Sequence, residues 1–129
     1  MNDTSNAAEA ATLTDTALDD VRRERARQDK IWGEQRHPSF DQALLQREPQ
    51  RMAERYEIPT EARAKWLCQT MAARGECTYA DIALEEFAEV VATCGEDETE
   101  TRGELVQLAA VVVQWIEAID RRKLEAGPS

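Results

Sequence analysis

Histidine is nearly absent from this 129-residue sequence, His37 being its single copy, and aromatic residues make up only 5% of it. One histidine cannot build a histidine-aspartate metal site, and it leaves a zinc centre short of nitrogen ligands. Cysteine is scarce too. Cys68, Cys77 and Cys94 are an odd number without CxxC spacing, which speaks for reduced thiols over a disulfide framework. Positive charge is in deficit: 16 Lys and Arg against 26 Asp and Glu leave a formal net charge of −10. A nucleic-acid partner is therefore not expected, since binding a phosphate backbone needs a basic face. The longest apolar stretch, residues 108–116, is interrupted by Gln114 and falls far short of the ~20 residues that cross a bilayer. Without a membrane span or an apolar signal-peptide core at the N-terminus, a cytoplasmic protein is the expectation. No GxxxxGK[ST] phosphate loop and no REx2EEx2E pattern occurs, and no nucleophilic triad is supported.

What is abundant is helix-forming. Charged residues reach 33%, Ala, Glu, Leu and Arg recur throughout, and only 5 Gly and 4 Pro punctuate the chain. The expectation is an all-α fold, an antiparallel bundle of about four helices in one domain. Residues 1–16 are small and polar and predict a disordered tail. Residues 17–125 make the helical domain, and 126–129 a flexible C-terminal tail.

The first predicted helix, 17–31, ends at Trp32-Gly33. Pro38, Pro49 and Pro59 then interrupt a segment with room for at most a short helix over 41–46. Thr60 caps a second helix to Arg74, stopped by Gly75, with Trp66, Leu67, Thr70 and Met71 on its inward side. Thr78 caps a third, 79–93, with Asp81 near its positive end, and Gly95 closes it. A fourth runs from about Asp97 to about Leu124, acidic at its start and basic at its end. Between Leu105 and Ile119 it is apolar nearly all round, which a helix tolerates only when covered on several sides. A homodimer or homotetramer that buries Val106, Ala110 and Val113 between subunits would cover it; wrapping by its own chain is the alternative.

The most informative residues are Glu85-Glu86-Phe87-Ala88-Glu89 and, beyond Gly95, Glu104-Leu105-Val106-Gln107. Residues three apart on a helix are separated by about 300° of rotation, so Glu86 shares a face with Glu89, and Glu104 with Gln107. Glu86 and Glu104 both lie nine positions from Gly95, so antiparallel helices joined there bring them to one level. Four oxygen-bearing side chains then converge in the bundle, and hard oxygen ligands suit Mg²⁺ or Mn²⁺. Glu85, beside this cage, is placed to orient or deprotonate a water. A solvated helix face remains the plain alternative, although no Lys or Arg follows these acids at i+3 or i+4.

These residues resemble the EExxE, then ExxD, signature of the all-α nucleoside triphosphate pyrophosphohydrolases, the MazG-like group. The likeness extends over about residues 21–120, because the run Arg27-Gln28-Asp29-Lys30-Ile31-Trp32-Gly33-Glu34-Gln35 and His37-Pro38 also look like the N-terminal portion of such proteins. The resemblance implies magnesium-dependent hydrolysis of a (deoxy)nucleoside triphosphate to the monophosphate and pyrophosphate, for nucleotide pool control or sanitation, by an oligomer of helical subunits. It makes Glu86, Glu89 and Glu104 metal ligands and Glu85 the accompanying catalytic acid. Gln107 stands where the family usually has Asp; its amide oxygen can still reach a cation, but the cage loses one negative charge. A non-catalytic nucleotide-binding or regulatory module of the same fold is the competing expectation.

Gln28, Trp32 and Gln35 are candidates for a nucleobase pocket, an aromatic face flanked by amides, with packing at a helix end as the alternative for Trp32. Trp66 and Trp115 read as core. His37, Lys30, Lys65 and Arg63 read as surface residues.

Overall fold

The computed structural model describes residues 3–45 and 48–127, and among them the fold is helical without strands. Five α-helices appear, α1 (Asp3–Trp32), α2 (Pro49–Arg55), α3 (Glu61–Ala73), α4 (Tyr79–Ala92) and α5 (Glu98–Ala126), with a short 3-10 turn at Gln42–Leu44. The chain divides into two compact units: Met1–Arg36 with Val112–Ser129, and His37–Val111. No helix among the described residues is long and apolar enough to cross a membrane.

In the first unit, the segment expected to be a disordered tail is helical from Asp3 onward. Ala7, Ala8, Ala10 and Ala11 carry the strongest helix propensity, so this stretch forms a helix without apolar bulk. Thr12 and Thr14 donate to the carbonyls of Ala8 and Ala10, both at 3.0 Å. Thr14 also hydrogen-bonds Glu117, which ties this part of α1 to the C-terminal half of α5, and Ala17 is fully buried. Further along, Arg23 pairs with Asp20 (3.3 Å), Arg25 with Asp29 (2.6 Å) and Arg27 with Glu24 (2.6 Å), each within one helical turn. Exposed pairs of this kind contribute only ~0.3–0.5 kcal/mol each, so they support the helix but do not hold the fold. Of the expected tails, residues 1, 2, 128 and 129 lie outside the described residues, while Ala126 ends α5 and Gly127 takes φ +72°.

The second unit contains a helix that the proline-rich segment was not expected to hold. Pro49 does not break α2 but begins it, because the first helical position needs no N–H and favours proline's fixed φ. Met52, on α2, is completely buried and packs with Phe40, Val90, Val91 and Cys94 into the core, flanked by Leu44, Leu45, Tyr56, Ile58 and Leu108. Tyr56 accepts a hydrogen bond from the Asp41 amide at 2.9 Å, and Arg55 pairs with Asp41 at 3.0 Å, tying the 3-10 turn to α2. The short helix anticipated over 41–46 is this single turn; Gln46 lies outside the described residues.

Helix α3 begins at the Thr60 cap, whose side chain accepts from the Arg63 amide. Of its expected inward side, Leu67, Thr70 and Met71 are half-buried and only Trp66 departs. Ala64 is buried and Leu67, Cys68 and Met71 half-buried, the i, i+3, i+4, i+7 stripe, whereas Trp66 lies well off that stripe and is 52% exposed. Trp66 is therefore not core; the Arg63 guanidinium covers its ring at 4.6 Å. Helix α4 packs on α2 and α3 and is the most enclosed of the helices, with Ala88, Val90 and Val91 buried.

Candidate metal centre

Two local devices set the direction of the acidic side chains. At the start of α4, Thr78 accepts from the Asp81 amide at 3.1 Å while Asp81 accepts from the Thr78 amide at 3.0 Å. This reciprocal cap fixes where the helix begins, and therefore the rotation at which Glu86 and Glu89 emerge two turns later. At the start of α5, Asp97 accepts from the Thr99 amide at 2.7 Å. Between the helices, Cys94 and Glu96 close the turn on the carbonyls of Val91 and Thr93, and the Thr93 and Thr101 hydroxyls meet at 2.7 Å.

The consequence is that Glu86, Glu89 and Glu104 each bring a carboxylate oxygen to one place, all within 4.8 Å of one another, with every residue half-buried. Among the described residues no ion pair reaches any of the three. Burial, and then the charges of Glu86 and Glu104, push the Glu89 carboxyl up from its ordinary 4.5 to about 7. Glu86 Oε2 and Glu104 Oε2 are buried without a hydrogen-bond donor. Glu89 lies within hydrogen-bonding reach of both neighbours, but it donates only when protonated and then has one proton to give. Three carboxylates thus leave at least one buried oxygen unserved, a costly arrangement unless a cation enters.

The donor set fits such an ion. Oxygens about 2.1 Å from magnesium cannot be more than about 4.2 Å apart, so a spread of up to 4.8 Å requires only a small inward adjustment of flexible glutamates.

The remaining expected residues are distributed differently. Glu85 does not join the trio; burial first, and then the nearby Glu85 carboxylate, push the Cys68 thiol up to about 12. Gln107, one turn beyond Glu104, is exposed. Gln28, Trp32 and Gln35 belong to the first unit, where they line one hollow of about 210 Å³ with Arg25, Asp29 and Gly33. Trp32 is 66% exposed there, with the chain turning away at Gly33, whose φ is +70°. It is an available aromatic face and not a packed helix end. His37, Lys30, Arg63 and Lys65 are exposed, and Trp115 is half-buried.

The nearness of Glu85 to Cys68 did carry a sequence signal that went unread: Cys68 lies seven positions before Gly75 and Glu85 seven after Thr78, the same reflection across a turn that pairs Glu86 with Glu104. Compared with family models, curated proteins and solved structures, the chain matches none.

Proposed function

We propose that this protein is a MazG-like, magnesium-dependent pyrophosphohydrolase of (deoxy)nucleoside triphosphates. The supporting observation is the trio itself, three half-buried glutamates with orphaned oxygens and no basic partner among the described residues. Glu86, Glu89 and Glu104 hold the cation, with Gln107 close enough in sequence to contribute through water. Bound there, Mg²⁺ or Mn²⁺ supplies the positive charge that phosphate oxygens require in so acidic a setting. Water adds to the α-phosphorus, the bond to the bridging oxygen breaks, and pyrophosphate departs with its electron pair, leaving the monophosphate. Glu85, the carboxylate next in sequence to Glu86, is the base for the water's proton. Taken by itself, the hollow of the first unit has in Trp32 a stacking face and in Gln28 and Gln35 amides, the groups that bind a nucleobase edge.

The same proposal includes assembly as a homodimer or homotetramer. Leu84, Phe87, Leu105, Val106, Val112 and Ile119 are exposed, and Thr101 is the one buried residue of α5. Of the expected interface residues, Val106 and Ala110 are exposed and Val113 is half-buried. Exposed apolar side chains such as these are what a second subunit covers.

A panel of nucleotides incubated with Mg²⁺ and assayed for pyrophosphate tests the activity. Turnover that Glu86→Gln and Glu104→Gln each abolish is the expected result; undiminished turnover in both variants refutes the assignment. A second reading, a binding or regulatory module without hydrolysis, draws on Gln107 and on the Glu85 carboxylate lying near Cys68. Calorimetric nucleotide binding without product, with turnover gained in Gln107→Asp, would favour it.

A further inference from the structure

Helix α3 does not simply stop at Gly75. With φ +70° there, the Glu76 amide reaches back to the Met71 carbonyl at 2.9 Å and the Gly75 amide to Ala72 at 3.0 Å. This left-handed cap doubles the chain back over the last turns of α3. The Thr78–Asp81 cap then starts α4 immediately. Cys77, caught between the two caps, has its sulfur 3.6 Å from the sulfur of Cys68. Both residues are half-buried and so within reach of small solutes, whereas Cys94 is buried in the core.

We propose that Cys68 and Cys77 are a dithiol that closes to an intramolecular disulfide when it meets a small disulfide oxidant. The sulfurs need approach by only about 1.5 Å to reach bonding distance, a movement that side-chain torsions supply without displacing α3. A shared metal is the poorer explanation of the pair: among the described residues the one metal-holding group is Glu86, Glu89 and Glu104, and neither cysteine belongs to it.

The exchange has two steps. Cys77, as thiolate, attacks one sulfur of the oxidant, forming a mixed disulfide and expelling the first oxidant half as a thiolate with the electron pair of the old bond. Cys68, having lost its proton to solvent, attacks the Cys77 sulfur and expels the second half. The two cysteines are oxidised, the oxidant is reduced to two thiols, and the two protons released by the protein end on those thiols. Cys77 goes first because burial, and then the negative Glu85 carboxylate nearby, disfavour the Cys68 thiolate.

The test uses the full chain, reduced and freed of reductant, then incubated with 2-hydroxyethyl disulfide, an uncharged probe that a protein of net charge −10 does not repel. Free thiols are blocked with N-ethylmaleimide in denaturant before intact-mass measurement and peptide mapping. A monomer lighter by two hydrogens, carrying a linked Cys68–Cys77 peptide and one maleimide on Cys94, is expected. In Cys68→Ser the mixed disulfide on Cys77 should accumulate, since nothing resolves it. Wild type that stalls at the same adduct, or that links Cys94 or a second chain instead, overturns the proposal.

Discussion

The Thr93 and Thr101 hydroxyls share a buried hydrogen bond of 2.7 Å across the turn that joins α4 to α5. Thr93 spends its own proton on the Val90 carbonyl at 2.6 Å, so Thr101 must be the donor between them. The bond locks the common end of the two helices that carry the glutamates, and with it their register. We expect Thr101→Val to cost roughly 1–3 kcal/mol, because it leaves the Thr93 oxygen buried with an unmet acceptor. In urea unfolding, the Thr93→Val/Thr101→Val pair should cost less than the sum of the single changes. Additive losses would show that the two hydroxyls do not act together.

Stability should also fall as the pH rises past the acid range. Glu89 has an ordinary value of 4.5 when unfolded and about 7 when folded. Between those values the folded chain holds more protons than the unfolded one, so folding free energy is lost as pH climbs from 4.5 to about 7, and the loss persists above. Glu89→Gln removes this dependence and should stabilise the metal-free protein by about 2 kcal/mol on the alkaline side. Thermal midpoints of both proteins on either side of this window check the sign.

Met52 lies at the centre of the second unit's core with no exposed surface. Met52→Ala should cost roughly 2–5 kcal/mol in chemical denaturation, the range for emptying a well-packed site. A loss below about 1 kcal/mol would show that α2 contributes little to the fold.

The helical class, the caps at Thr60 and Thr78 and the meeting of Glu86, Glu89 and Glu104 were legible because each follows from a local rule. The caps need one side chain at one position, and the trio needs a 3.6-residue period reflected across Gly95. Where the outcome depended on competition between rules, the sequence misled. Pro49 is a breaker inside a helix and a starter at its first position, and only the burial of Met52 decides which. Residues 3–16 lack apolar bulk, yet alanine propensity and the Thr14–Glu117 hydrogen bond carry them into a helix. Trp66 is large and apolar, but the phase of α3 set by Ala64, Leu67 and Met71 turns it outward. The proximity of Cys68 to Cys77 depends on the path after Gly75, which no periodicity encodes.

Adding charge at the exposed end of the cluster should strengthen cation binding. Gln107→Asp supplies a carboxylate one turn beyond Glu104, and we expect affinity for Mg²⁺ to rise about tenfold, as outer carboxylates near a site do. Unchanged affinity would place position 107 outside the ion's influence.

Calorimetric titration of Mn²⁺ into the metal-free protein, beside Glu104→Gln, tests the glutamate trio most directly. We expect one saturable binding event that releases protons when the pH lies below the Glu89 value of about 7, and its loss in the variant. Equal, weak and non-saturating heats from both proteins would contradict a cation site at Glu86, Glu89 and Glu104.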